Sequence, residues 1–285
     1  MRLVASLALL LALTGCGASQ PVANVAEGAH DGAFVPTAHR EGSSVVLPLV
    51  FPDGTQADLL YPPRLDIAGL GVTPYTSGEL RGKSPDPERS DVVGRDFWIL
   101  HGDLRELLAT LDGGRPPRLL GTYGGVGDRT VGFWGLRDGP YLGFQFGRWA
   151  VLVYDYTDRA AMTNSERASW AASLSGRETA DGFLLLEGSG ELRLARPGEH
   201  AGPELRFGDN PDHGLSLLPG KCALFRNMHD AVAGIRRVDR SPGFASWCLS
   251  SWMGVQATGS ESFIDGLLRN LEIGDVRSGS PVPAE

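Results

Sequence analysis

Residues 130–156 read TVGFWGLRDGPYLGFQFGRWAVLVYDY, and the fold turns on how that stretch is divided. Three apolar runs, roughly 130–136, 141–146 and 149–155, are separated by Arg137-Asp138-Gly139-Pro140 and by Gly147-Arg148. Turns this short join antiparallel neighbours, so the stretch predicts a meander. In the third run Trp149, Val151 and Val153 share one face, while Leu152, Tyr154 and Tyr156 share the other. Apolar residues on both faces predict a strand that is covered on both sides.

The same stretch concentrates aromatic residues, holding eight of the chain's 23: Phe133, Trp134, Tyr141, Phe144, Phe146, Trp149, Tyr154 and Tyr156. Two readings follow. With both faces apolar the rings form core. With one face open, Trp134, Tyr141, Tyr154 and Tyr156 are the candidate ligand-binding residues, stacking on a sugar or peptide with Asp155 and Asp158 at the rim.

Upstream, Val45–Phe51 and Ala57–Tyr61 flank Pro52-Asp53-Gly54-Thr55, a hairpin signal in which proline presets one dihedral and glycine takes the left-handed position. Pro62-Pro63 stops the second strand. Residues 62–95 are rich in Pro, Gly and Ser and predict loops with at most one short strand. Phe97–His101 reads as a buried strand. Leu104, Leu107, Leu108 and Leu111 then repeat at helical spacing, with Asp103 and Glu106 in capping-box relation and Gly113-Gly114 as the stop. Downstream, a second helix is expected over Asn164–Leu174, capped by Thr163 and Glu166 and ended by Gly176. Strands are expected at Phe183–Glu187, Glu191–Ala195 and Glu204–Phe207, in one further sheet segment. A third amphipathic helix carries Phe263, Ile264, Leu267, Leu268 and Leu271.

Strands in runs with about three helices between them predict an α+β fold on largely antiparallel sheet; an all-β barrel or propeller-like fold is the alternative, weakened by the helices and by the lack of an internal repeat. The chain has 285 residues, 26 basic against 34 acidic, and a net charge of −8. Such a balance does not seek phosphate backbones, so no nucleic-acid partner is expected. Only Lys83 and Lys221 are lysines; arginine supplies the other cations, as the codon bias of a GC-rich genome would produce.

Met1-Arg2 is a short positive region, and Leu3–Leu13 is an apolar run of eleven residues, long enough for a signal peptide and too short to span a bilayer. It ends in Leu13-Thr14-Gly15-Cys16. This pattern resembles the lipobox of bacterial lipoproteins. The resemblance implies cleavage before Cys16 and a thioether-linked diacylglycerol on Cys16, with more than one acyl chain to give stable anchoring. It places the protein outside the cytoplasm, on the outer face of the cytoplasmic membrane or on the outer membrane if the envelope has two. Beyond the leader there is only a general likeness to uncharacterised lipoproteins of high-GC bacteria, with no motif to carry over.

The expected organisation is a signal peptide over 1–15, a lipidated flexible tether over 16–42, a globular extracytoplasmic domain over 43–276 and a disordered tail over 277–285. With Cys16 lipidated, Cys222 and Cys248 form an even pair in an oxidising compartment, and a disulfide between them is expected.

Signatures of chemistry are sparse. Gly78–Ser84 is one residue short of a phosphate-binding loop, and Gly121–Gly127 lacks dinucleotide spacing and reads as a turn. His101 with Asp103 could supply a general base, but Asp103 is also the expected helix cap. His229-Asp230 is no stronger. Asp209, Asn210, Asp212 and His213 make a polar loop without the spacing of a calcium site. No metal and no cofactor is expected. The reading favoured is a membrane-anchored, non-catalytic lipoprotein that binds an envelope glycan or an exported protein. A cell-surface hydrolase acting on peptide or glycan is the alternative.

Overall fold

The computed structural model describes residues 33–71, 76–83, 92–155, 161–199, 202–208, 213–220, 222 and 238–277. The leader with Cys16, Tyr156 and Asp158, Asp209–Asp212, His229-Asp230 and the stretch after Arg277 lie outside the described residues.

The first strands are β1 (His39–Glu41), β2 (Ser44–Val50) and β3 (Gln56–Tyr61). The Pro-Asp-Gly turn forms as expected. Gly54 takes φ 84°, and the Asp53 carboxylate accepts from the Thr55 N–H at 3.1 Å and from the Thr55 hydroxyl at 2.9 Å. Pro62 ends β3, and a 3-10 turn (Pro63–Leu65) leads into the single-turn helix α1 (Ile67–Leu70). The packed chain begins before Ser43. Phe34 is buried edge-on against Trp149 (5.3 Å) and Phe183 (5.1 Å), and Ala38 is buried as well. Residues 33–42, expected to lie before the globular domain, thus add Phe34 and Ala38 to its core, because the phenylalanine meets an aromatic pocket.

Residues 62–95 hold more strand than their Pro and Gly content suggests. β4 (Thr76–Lys83) and β5 (Val92–His101) pair antiparallel, Lys83 opposite Val92 and Thr76 opposite Ile99. The Gly-x-x-x-Gly-Lys segment is thus extended sheet. A Cβ on Gly78 would sit 2.9 Å from the Phe97 ring, and one on Gly82 would sit 3.1 Å from the Trp170 indole, so these glycines make room for rings. Helix α2 (Leu104–Leu111) follows, with the Asp103 carboxylate accepting from the N–H groups of Arg105 and Glu106. Gly113 and Gly114, both at positive φ, close it.

The decisive stretch folds as read. β7 (Thr130–Leu136), β8 (Gly139–Phe146) and β9 (Trp149–Tyr154) form the meander, and β6 (Arg118–Gly124) extends it. Gly121–Gly124 is strand, so only the latter part of that glycine-rich segment turns. Helix α3 (Asn164–Ser173) has a complete capping box between Thr163 and Glu166. It runs straight into β10 (Leu174–Glu178), where Gly176 lies under the Phe146 ring instead of stopping the helix.

β11 (Leu184–Gly188), β12 (Arg193–Leu194) and β13 (Leu205–Phe207) match the three expected strands, yet each joins a different sheet. β14 (His213–Pro219), β15 (Val238–Ser241), β16 (Phe244–Cys248) and β17 (Met253–Gly259) precede α4 (Glu261–Asn270) and β18 (Glu272–Ile273).

The four sheets run β1-β2-β3-β18, β10-β11, β12-β4-β5-β9-β8-β7-β6 and β13-β14-β17-β16-β15. Every pairing between these strands is antiparallel, and each order is open. The α+β expectation holds and a closed barrel does not form. One large apolar cluster draws side chains from all four sheets, including Leu47, Leu186, Val151 and Val255. A smaller one, Leu100, Leu108, Trp134, Tyr141, Ala150 and Leu152, lies on the other face of the seven-stranded sheet under α2. β9 separates the two clusters, which is why both its faces are apolar.

Candidate functional site

Three of the four candidate aromatic residues form one cross-strand row, Trp134 opposite Tyr141 and Tyr141 opposite Tyr154. The row belongs to the smaller cluster: Trp134 is 7% exposed and Tyr141 1%, with Leu104 and Leu107 of α2 packed against the cluster. The Tyr141 hydroxyl donates to Asp138 Oδ2 at 2.6 Å and the Tyr154 hydroxyl to the Asp138 carbonyl at 3.0 Å. Both polar handles are thus spent on the 137–139 turn. Trp134 and Tyr141 are core, not a platform; Tyr154 is half-buried beside them, and Tyr156 lies outside the described residues.

Asp155, read as a rim residue, is fully buried. Its Oδ1 accepts from the Met162 N–H at 2.6 Å, and its Oδ2 accepts from Arg167 Nε at 2.9 Å and Nη2 at 2.7 Å. The same guanidinium lies 4.0 Å above the Phe133 ring. Burial works to lower the Arg167 pKa, but hydrogen bonds to Asp155 and Tyr123 prevail and raise it. This carboxylate ties α3 to the end of β9.

The His101 ring packs edge-on to Trp149 at 5.0 Å, and Asp103 is committed to capping α2. The His213 ring lies edge-on to Phe263 at 4.8 Å. Cys222 and Cys248 are disulfide-bonded, with Cα atoms 5.6 Å apart. Among the described residues no three His, Cys, Asp or Glu side chains gather as a metal site would require.

What the sequence reading missed is an open groove of about 510 Å³ between the start of β2, the end of β3, the 3-10 turn and the end of α4. Ser43, Ser44, Tyr61, Arg64, Arg269 and Glu272 line it, among others. Pro62 and Pro63, which follow the end of β3, line it as well. Arg64 Nη2 donates to Asn270 Oδ1 at 2.9 Å, and Asn270 in turn donates to the Gly266 carbonyl at 2.6 Å. Arg269 is largely exposed, with only a 3.9 Å approach to Asp265. Tyr61 accepts from the Ala68 N–H at 3.0 Å, and burial pushes its pKa up to about 12, so it stays protonated at neutral pH. The groove thus offers two guanidiniums, hydroxyls and one carboxylate, a surface for hydrogen bonding to a polar ligand. Its halves lie 206 positions apart in the chain, and no local pattern could have announced it.

In comparisons with protein-family models, with curated proteins and with solved structures, nothing matches this chain.

Proposed function

We propose that the chain is a membrane-anchored extracytoplasmic lipoprotein that acts by binding an envelope glycan or an exported protein. The observation that carries this reading is Leu13-Thr14-Gly15-Cys16 directly after the apolar run Leu3–Leu13. The Cys222–Cys248 disulfide supports it, since such bonds persist where the surroundings are oxidising. The finer binding role draws on the groove beside Arg64 and Arg269, which is polar and open to solvent and has none of the candidate His or Asp side chains in its lining.

The anchor is tested by Cys16→Ser in the full chain, followed by metabolic labelling with a fatty-acid analogue and by membrane fractionation. The expected result is loss of label, together with an unprocessed precursor or release from the membrane. Labelling and partitioning that stay unchanged would overturn the anchor. The binding role is tested by thermal shift against wall glycans, peptides and sugars. A ligand at 100 times its dissociation constant adds about 2.7 kcal/mol, and Arg64→Ala should abolish the shift if the groove is the site. A flat screen would overturn glycan binding and leave a protein partner.

A further inference from the structure

The seven-stranded sheet ends in β6, and β6 is an edge of unusual character. A β-bulge between Leu119 and Gly121 disrupts its pairing with β7. Two successive leucines are exposed there, Leu119 at 46% and Leu120 at 41%. Leu111 at the end of α2 and Val126 just past the strand are exposed to similar extents, and the strand interior has no proline and no lysine. Natural edges are blunted by brevity, by charge, by cover or by a bulge, and β6 has the bulge and a single charge, Arg118, at its first residue. Other edges among the described strands follow that rule: β1 and β13 have three residues each, β12 and β18 two, Arg240 of β15 is tied to Glu261 and Asp265 of α4, and the five-residue β10 and β11 present the exposed charges of Arg177 and Glu187. β6 is seven residues long, and every one is exposed or half-buried.

Charge supplies the second observation. Arg118 opens the strand, Arg115 lies three residues before it and Asp128 four residues beyond its end, all exposed and none ion-paired among the described residues. The neighbouring Arg129 does not neutralise Asp128, because its guanidinium lies 5.0 Å over the Phe146 ring. An antiparallel strand of the same sequence, laid along β6 about a two-fold axis, sets its Asp128 beside Arg115 and Arg118, and its arginines beside Asp128. It also covers both leucines. A parallel copy would set like charges together.

We propose that β6 pairs antiparallel with β6 of a second copy of this chain, joining two seven-stranded sheets into one continuous sheet across a two-fold interface. The inference is independent of the lipid anchor.

The test places a single cysteine, Thr122→Cys, near the axis at an exposed position, with Ser262→Cys on the exposed face of α4 as the distant control. The full chain is treated in intact expressing cells with a short membrane-permeable bismaleimide. The expected product is an adduct of twice the chain mass from Thr122→Cys, at least ten times more than from wild type or Ser262→Cys. Adding Leu119→Lys and Leu120→Lys should remove it while leaving the melting temperature unchanged, since both side chains are exposed. Asp128→Arg should also remove it, and adding Arg115→Asp and Arg118→Asp should restore it. No dimer from Thr122→Cys, equal yields from the two cysteine variants, or an adduct of another mass would each overturn self-pairing.

Discussion

Glu199 is held in a fork by Arg193, whose Nη1 and Nη2 each donate to one carboxylate oxygen at 2.9 Å, while the Arg196 N–H donates at 2.6 Å. The bond to Arg193 is the main cause that brings the Glu199 pKa down from 4.5 to about 2. A carboxylate with a folded pKa below its unfolded value stabilises the fold fully above the unfolded value, and that contribution fades as pH falls from about 4.5 towards 2. Both partners are partly exposed, so solvent screens the pair. Glu199→Gln should cost about 1 kcal/mol at pH 7, with the gap to wild type closing across that acid window in urea melts. A gap that stays constant down to pH 2 would show that the charge of Glu199 is not what matters. Gly220 is a backbone constraint of another kind. It sits at φ 74°, and a Cβ there would fall 2.1 Å from the Gly198 nitrogen. Gly220→Ala should therefore destabilise by more than about 2 kcal/mol, whereas Gly113→Ala, also left-handed but facing open space, should cost about 1. Neither residue announces its role in the sequence, since Gly is common here and the close approach is between segments distant along the chain.

At the scale of elements, the helices were the most legible part. The Thr163 hydroxyl accepts from the Glu166 N–H at 3.2 Å and the Glu166 carboxylate accepts from the Thr163 N–H at 2.6 Å, the reciprocal pair expected from residue spacing alone. Thr163→Ala should cost about 1 kcal/mol, read as a lower denaturant midpoint at unchanged slope. At α2 the cap is only half as expected. Asp103 holds two N–H groups, while the Leu104 N–H donates to Gln145 Oε1 at 2.8 Å, a partner 41 positions away on β8. The end of α3 falls within a residue of the expected Leu174, but Gly176 is not its stop signal: it lies inside β10, where its lack of a side chain admits the Phe146 ring. The Cys222–Cys248 bond closes a separation of 26 residues, for which the chain-entropy estimate is roughly 3–4 kcal/mol. Replacing both cysteines by serine should lower stability by about that amount, and a melting temperature unaffected by reduction would remove the bond from its structural role.

Across the whole molecule, the four sheets share one core, so damage at one joint should be felt globally. Asp155 is such a joint. It links β9 to α3 through a guanidinium that also covers Phe133. Asp155→Asn would leave Arg167 without its counter-charge in a largely buried place and should destabilise by about 3 kcal/mol, in a single cooperative transition. A second transition would mean that α3 melts apart from the sheet. The same scale governs the ends of the chain. β18 pairs with β3, and Arg277 bridges to Gln56, so the C-terminal segment closes the sheet that the first strands begin.

What the sequence determined by itself is local. Alternation and short turns placed the meander, cap residues placed two helices and apolar spacing a third, and Pro-Asp-Gly placed the first hairpin, because each of these depends on residues within a few positions of one another. Long-range packing set which strands share a sheet, brought Phe34 into the core, put Trp134 and Tyr141 under α2 and joined Arg64 to Asn270 at a groove. Those outcomes depend on which distant surfaces exclude water together, and no short window of sequence contains both of the surfaces that meet.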